Sequence, residues 1–180
     1  MFDETLKLIL SLPGRKPAPT LPRRLDALFE RLARVANAVE ASQVEDAIWE
    51  AWMSHAEPRV QEHLEAASRA IGADDHAQAE PLLDELVAAQ PGYAEAWNKR
   101  ATLYFRMGRD VESVRDIHRT LELEPRHFGA VCGFGQICLR KGDRTGALFA
   151  FDAALRINPH LGAVRKAREE LAAESHGTAH

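Results

Sequence analysis

The sequence predicts an all-α protein built from repeated helical hairpins, and three observations support this prediction. Pro91, Pro125 and Pro159 follow one another at intervals of 34 residues. Gly108 recurs at the same interval as Gly142. Apolar residues follow the period of amphipathic helices, and no segment alternates polar and apolar residues as a half-buried strand does. A fixed period of this length is typical of stacked two-helix units.

The first 20 residues are expected to lie outside the repeats, as an N-terminal segment and linker. Residues 1–12 are expected to form a short, loose helix, and residues 13–20 (PGRKPAPT) have the composition of a linker. Removal of residues 1–18 is therefore expected to leave the melting midpoint nearly unchanged. The alternative is that this segment packs on the body and fills the groove of the repeats.

Residues 21–57 and 162–174 are expected to cap the two ends of the array. The first region reads as a divergent helical hairpin, in which Ser42 and Glu45 form a capping box before the second helix. The terminal units of a solenoid need atypical faces because one side has no neighbour. The second region reads as a polar capping helix, followed by a frayed tail over residues 175–180.

The repeat region is expected to span residues 60–161. Each unit contains two helices, and its closing proline ends the second helix because the residue before a proline avoids helical geometry. The turn between the helices is expected at Gly108 and Gly142 in the second and third units, whereas Asp74 replaces the glycine in the first. The expected units are residues 60–93, 94–127 and 128–161.

These residue types at this spacing resemble the tetratricopeptide repeat (TPR) family. The family pattern has Trp, Gly or Ala, and Tyr on the first helix, then Ala, Phe and Ala on the second, and a closing Pro. The matching residues are Trp97, Ala101, Tyr104, Pro125, Gly135, Ala147, Phe151, Ala154 and Pro159. The segments WNKRAT and LEPRHFGA are similar to segments of small bacterial proteins of this family with no assigned activity. The resemblance implies a non-catalytic solenoid whose first helices line a concave surface.

Composition excludes several classes of protein. The 180 residues include 23 Lys and Arg against 27 Asp and Glu, and this net charge of −4 argues against a nucleic-acid partner. Two cysteines are too few for a disulfide framework or a cysteine-based zinc cluster. No apolar run approaches the roughly 18 residues of a membrane span. Because a secretory signal is also not evident, we expect a cytoplasmic protein with no membrane partner.

No catalytic residue, metal site or cofactor is expected. The histidines are scattered without metal-site spacing, so they are interpreted as solvated or turn residues. Cys138 takes a core-facing position of its helix, whereas Cys132 is expected to face the groove, where it can be exposed. Trp49 and Trp52 are interpreted as core residues rather than as a ligand platform.

The concave surface is expected to bind an extended peptide segment of another protein. Its amides suit the peptide backbone, its two arginines suit carboxylates, and its apolar edge suits a neighbouring apolar side chain. The expected binding residues are Asn98, Lys99, Thr102, Phe105, Arg106, Gln136, Leu139 and Arg140. The alternatives are an ordinary solvated face, a self-associating structural protein, or an accessory subunit of an enzyme complex.

Arg100 is expected to be buried between helices, because it lies three residues after Trp97 and four before Tyr104. A buried guanidinium requires a partner. Asp116, on the inward face of the next helix, is the best candidate. The alternative is that Arg100 extends to solvent along its aliphatic stem.

Overall fold

The computed structural model describes the backbone of residues 1–177 and the side chains of residues 1–174. Within these residues the structure contains ten α-helices and a short 3₁₀ turn, Leu12–Gly14, with no strand. The helices are α1 (Phe2–Ser11), α2 (Arg24–Arg34), α3 (Ala38–Met53), α4 (Pro58–Gly72), α5 (His76–Ala89), α6 (Ala94–Arg106), α7 (Asp110–Leu123), α8 (Phe128–Arg140), α9 (Arg144–Ile157) and α10 (Gly162–Gly177). The prediction of an all-α fold is confirmed.

Helices α4 to α9 form three hairpins that pack in series. The pairs α4–α5, α6–α7 and α8–α9 make the most extensive helix contacts, and each second helix also packs on the first helix of the next hairpin. The three turns place Asp74, Gly108 and Gly142 in the same left-handed conformation, with φ of 59°, 73° and 78°. Asp74 therefore occupies the position that glycine takes in the other two repeats.

Helix α5 accommodates Pro81 in its second turn. The helix begins at His76, and the Asp75 side chain caps it by accepting a hydrogen bond of 3.0 Å from the Gln78 amide. Pro81 cannot donate to the carbonyl four residues earlier. Because Pro81 is exposed, water can solvate that carbonyl, and the helix continues to Ala89.

Helix α1 packs on the repeats, so the expectation that residues 1–18 are independent of the body is wrong. The helix contacts α7 and α9, and its Thr5, Leu8 and Ile9 are buried. The Thr5 hydroxyl lies 3.1 Å from Nδ1 of His118 on α7. A ten-residue helix is marginal alone, but an apolar face that is buried by tertiary packing stabilises it.

The α2–α3 hairpin forms as predicted, but it lies along the loops between repeats rather than beyond the first repeat. The Tyr93 hydroxyl donates to the Met53 carbonyl at 2.6 Å in the first of these loops. Arg126 donates to Asp26 at 2.7 Å in the second. In the third, the Asn158 amide donates to Glu45 at 2.9 Å. The hairpin thus joins all three repeats along one edge.

Helix α3 begins earlier than the capping-box pattern predicted. Asn37 is its N-cap, with a side-chain oxygen that accepts hydrogen bonds from the amides of Val39 and Glu40 at 2.8 and 3.3 Å. Ser42 and Glu45 therefore lie inside the helix. The pattern failed because Asn37 offers an equally good capping side chain one turn earlier.

Helix α10 packs on α9 and buries Leu171. It extends to Gly177, three residues beyond its expected end, and residues 178–180 of the expected tail lie outside the described residues. Across residues 1–177, we find no helix whose length and hydropathy would allow it to span a membrane.

Candidate functional site

The eight candidate residues all lie on α6 and α8, and the structure divides them into a covered half and an open half. The covered half contains Asn98 and Lys99, near the start of α6. The open half lies nearer the ends of the two helices. It contains Thr102, Phe105, Arg106, Gln136, Leu139 and Arg140.

In the covered half, the polar groups of Asn98 and Lys99 contact the buried carboxylate of Glu95. The Asn98 amide donates to both oxygens of Glu95 at 3.3 Å, and the Asn98 residue is only 7% exposed. The Lys99 ammonium lies 3.3 Å from the same carboxylate. Asn98 also lines the cavity between α6, α7 and α8, but its amide is already engaged by Glu95.

Helix α3 covers this half of the surface with two tryptophans. The Trp52 ring stacks on His127 with a centroid distance of 4.0 Å and an interplanar angle of 11°. Trp49 lies against Gly129, where a Cβ atom would be only 2.6 Å from Trp49 Cη2. Glycine is thus required at position 129 for this approach. Trp52 belongs to the buried core cluster of the hairpin and the half-buried Trp49 packs against that cluster, which confirms their interpretation as core residues.

His127 links the covered half to helix α8. Its Nδ1 accepts a hydrogen bond of 3.1 Å from the Ala130 amide and so caps α8. The ring proton therefore lies on Nε2, which donates to Glu95 at 2.9 Å. Burial opposes ionisation of Glu95, but the interaction with His127, the charge of Lys99 and the hydrogen bonds from Asn98 outweigh it. The pKa of Glu95 consequently lies below its ordinary value of 4.5.

A small cavity lies between α6, α7 and α8, where residues of the open half meet Asn98 of the covered half. The cavity has a volume of about 180 Å³. Thr102 and Phe105 line it from α6, Ile117 from α7, and Gly133 and Gln136 from α8. Thr102 and Gln136 are exposed at its mouth. The geometry is suited to an apolar side chain with a polar group above it.

The two arginines of the open half connect successive repeats. Arg106 Nη1 donates to the Ile71 carbonyl at 2.6 Å, and Arg140 Nη1 donates to the Phe105 carbonyl at 2.9 Å. The other amino group of Arg140 donates to Asp110, and its guanidinium lies 3.9 Å from the centroid of the Phe105 ring. The Arg106 side chain remains 45% exposed and the Arg140 side chain 38% exposed.

The two thiols are held in their protonated form. Burial raises the pKa of Cys132 to about 12 and that of Cys138 to about 11. The core position of Cys138 is confirmed, whereas Cys132 is half-buried rather than open in a groove. Within the described part of the chain, no three His, Cys, Asp or Glu side chains are grouped so that they could hold a metal ion.

Sequence reasoning missed the cluster of Glu95, His127 and Trp52. The sequence predicts a solvated or turn histidine at position 127; His127 does lie in the turn before α8, but it is fully buried rather than solvated. Its position immediately before Phe128, the first residue of α8, was a usable signal, because a side chain there can cap a helix. The sequence offered no signal that Trp52 would stack on this ring.

Comparison with known proteins gives the following similarities. No family model matches the chain. A TPR repeat-containing protein of Rhizobium etli is 36% identical over 157 residues, which cover 87% of this chain and 76% of that protein. DnaJ homolog subfamily C member 3 of Rattus norvegicus is 27% identical over 112 residues, which cover 62% of this chain and 22% of that protein.

A solved structure is also similar in fold. The alignment with the TPR domain of Sgt2 from Aspergillus fumigatus has a TM-score of 0.61 at 16% identity, and it covers 69% of this chain and 83% of that domain. At this identity the similarity supports the helical-repeat fold alone.

Proposed function

Because the chain belongs to the tetratricopeptide repeat family, whose members generally mediate protein–protein interaction, we propose that it is a non-catalytic interaction module that binds an extended peptide. The peptide lies along the open half of the concave surface. The observation that carries this proposal is the cavity between α6 and α8, in which the Phe105 wall lies under the half-exposed guanidinium of Arg140 and is followed on α6 by the exposed Arg106. Grooves of this kind bind peptides through side-chain pockets and polar contacts to the backbone.

The bound segment carries an apolar side chain next to a carboxylate. The apolar side chain enters the cavity against Phe105 and Ile117, and the exposed Gln136 amide is available to the peptide backbone. The carboxylate binds Arg106 more strongly than Arg140. Arg140 already has Asp110 as an ion-pair partner, whereas the nearest carboxylate to Arg106 is the exposed Asp74 at 3.9 Å.

The proposed surface is smaller than the one inferred from sequence. The polar atoms of Asn98 and Lys99 already contact Glu95, so these two residues supply no free polar group to the peptide, although Asn98 lines the cavity. The peptide therefore contacts the second halves of α6 and α8. It does not reach the part of the surface that α3 covers.

The proposal is tested by selecting peptides from a displayed random library and comparing two charge-reversal variants. In the first, Arg106→Glu and Arg140→Glu alter the open half. In the matched control, Arg34→Glu and Lys166→Glu make the same charge change at exposed positions on α2 and α10. Loss of charge-assisted contacts should weaken binding of the selected peptides about ten- to a hundredfold in the first variant.

The control variant should bind the same peptides with nearly the affinity of the wild type. Both variants should first be shown to melt at the wild-type midpoint. Equal affinity of the two folded variants would contradict the proposal, and so would selected peptides without any preference for Asp, Glu or an apolar residue.

A further inference from the structure

We infer that the protein has a second interaction surface, on which four unpaired cations around an apolar cavity bind an acidic segment of another protein that carries an apolar side chain. We call this surface the basic edge and define it by Arg15, Lys16, Arg23 and Arg156, which surround Arg126. It lies outside the open half of the concave surface and does not share a residue with it.

The basic edge contains two neighbouring cavities that share Arg126. One has a volume of about 360 Å³ and is lined by Arg15, Arg126 and Arg156 together with apolar residues that include Ile9 and Leu12. The other has a volume of about 340 Å³. Its cationic lining residues are Lys16, Arg23 and Arg126. The surface thus has an apolar depression at one end and cations along its whole length.

The charges of the basic edge are not balanced within the described part of the chain. Arg126 is fully engaged, because it donates to Glu124 at 2.9 Å and to Asp26 at 2.7 Å. Asp26 is the only carboxylate residue that lines either cavity. The four defining cations have no ion-pair partner among residues 1–174, and Arg15 makes only a hydrogen bond of 3.1 Å to the Ser11 hydroxyl.

The N-terminal segment holds these cations against the repeats. The Ala18 amide donates to the Leu123 carbonyl at 2.7 Å, which fixes the segment that carries Lys16. Helix α1 and the 3₁₀ turn that follows it are anchored beside this segment through Ile9 and Leu12. Arg156, on α9, lies on the opposite wall of the first cavity. The basic edge therefore exists only when α1 is docked.

A protein segment fits this surface better than a membrane or a nucleic acid. Ile9 and Leu12 are buried at the base of the cavity and do not protrude, so the surface has no apolar anchor to insert into a bilayer. The phosphate backbone of a nucleic acid can pair with the cations, but it has no apolar side chain to fill the depression. An acidic peptide can place an apolar side chain in the depression and its carboxylates against the four cations.

The probe for this surface is a short fluorescein-labelled peptide that repeats Glu-Glu-Leu, measured by fluorescence anisotropy with the full chain. The variant Arg15→Gln, Lys16→Gln, Arg23→Gln, Arg156→Gln should weaken binding about tenfold or more, since each exposed pair contributes modestly and the four act together. The matched control Arg34→Gln, Arg59→Gln, Arg69→Gln, Lys166→Gln removes the same charge from exposed positions on α2, α4 and α10. It should weaken binding about twofold or less.

Three further measurements decide the inference independently of the proposed concave site. A peptide with Ser in place of Leu should bind more weakly, and equal affinity would remove the apolar cavity from the site. The probe also has the chemistry proposed for the concave site, so the two glutamine variants are compared again in the Arg106→Glu, Arg140→Glu background, which removes that site. Binding of the Glu-Glu-Leu probe should persist in this background and depend on the basic edge, and its complete loss would assign the probe to the concave surface. The inference would be overturned if the two glutamine variants lost the same amount of affinity for the probe. It would also be overturned if the protein bound anionic vesicles or single-stranded DNA more tightly than the probe.

Discussion

Arg100 and Asp116 form a bidentate ion pair across the α6–α7 hairpin. The Nε atom of Arg100 lies 2.6 Å from Oδ2 of Asp116, and Nη2 lies 3.0 Å from Oδ1. A third contact joins Nη1 to Asp84 on α5 at 2.8 Å. One guanidinium therefore connects two successive repeats, and the pairing predicted from the repeat register is confirmed.

Removal of this guanidinium should destabilise the fold strongly. Arg100→Ala leaves the Asp116 carboxylate, which is 1% exposed, without its partner, and we expect a loss of about 3 kcal/mol or more in the free energy of unfolding. Urea denaturation of both single variants and the double variant gives the coupling energy of the pair. A matched double-mutant cycle of Arg100→Ala with Asp84→Ala should give a coupling energy of about 1 kcal/mol or less, because Asp84 is half exposed. A coupling to Asp116 no larger than that to Asp84 would contradict this account.

Docking of α1 is tested by two neighbouring substitutions. Ile9 is 1% exposed in the core, whereas Leu10 is 59% exposed on the other face of α1. Ile9→Ala should lower the free energy of unfolding by about 2–4 kcal/mol because it leaves a cavity. Leu10→Ala should change it by about 0.5 kcal/mol or less. Equal, small effects in chemical denaturation would show that α1 does not pack on α7 and α9.

Substitutions at the left-handed turn residues Asp74 and Gly108 should have opposite effects on the stability of the fold. Asp74→Gly should stabilise the protein by about 1 kcal/mol, because glycine adopts a positive φ without the steric cost that a Cβ atom imposes. Gly108→Ala should destabilise it by about 1–2 kcal/mol for the same reason, since no atom lies near enough to hinder the added methyl group itself. Thermal melts of the two variants provide the measurement. A lower midpoint for Asp74→Gly would mean that the aspartate side chain stabilises the turn more than its backbone strain costs.

The buried Glu95 carboxylate predicts a dependence of stability on pH. Its pKa is lower in the folded chain than its ordinary value of 4.5, so ionised Glu95 stabilises the fold above that pH. The contribution is lost as the pH falls through the folded pKa. Glu95→Gln should therefore lower the free energy of unfolding by about 2 kcal/mol at neutral pH. The difference from the wild type should shrink below pH 4.5, and a difference that stayed constant with pH would contradict the assignment.

The repeat register was sufficient to predict contacts within and between the hairpins. The pairing of Arg100 with Asp116 and the core position of Cys138 follow from positions in a unit whose geometry is repeated. The same register places Thr102, Phe105 and Gln136 around one cavity, where the structure has them. These inferences need only the spacing of residues along two packed helices.

Contacts of the N-terminal third could not be predicted in this way. Thr5 with His118 and Glu45 with Asn158 each join residues 113 positions apart, and no period relates the partners. A short amphipathic helix is compatible with any apolar groove, so the sequence of α1 does not specify where it docks.

The most direct test of the central claim, that a peptide binds the open half of the concave surface, is an NMR titration. A library-selected peptide is added to isotope-labelled protein, and the amide shifts are mapped on the chain. We expect the largest changes at Thr102, Phe105 and Gln136, including the Gln136 side-chain amide. Changes confined to the basic edge or to the α2–α3 hairpin, with α6 and α8 unaffected, would contradict the claim.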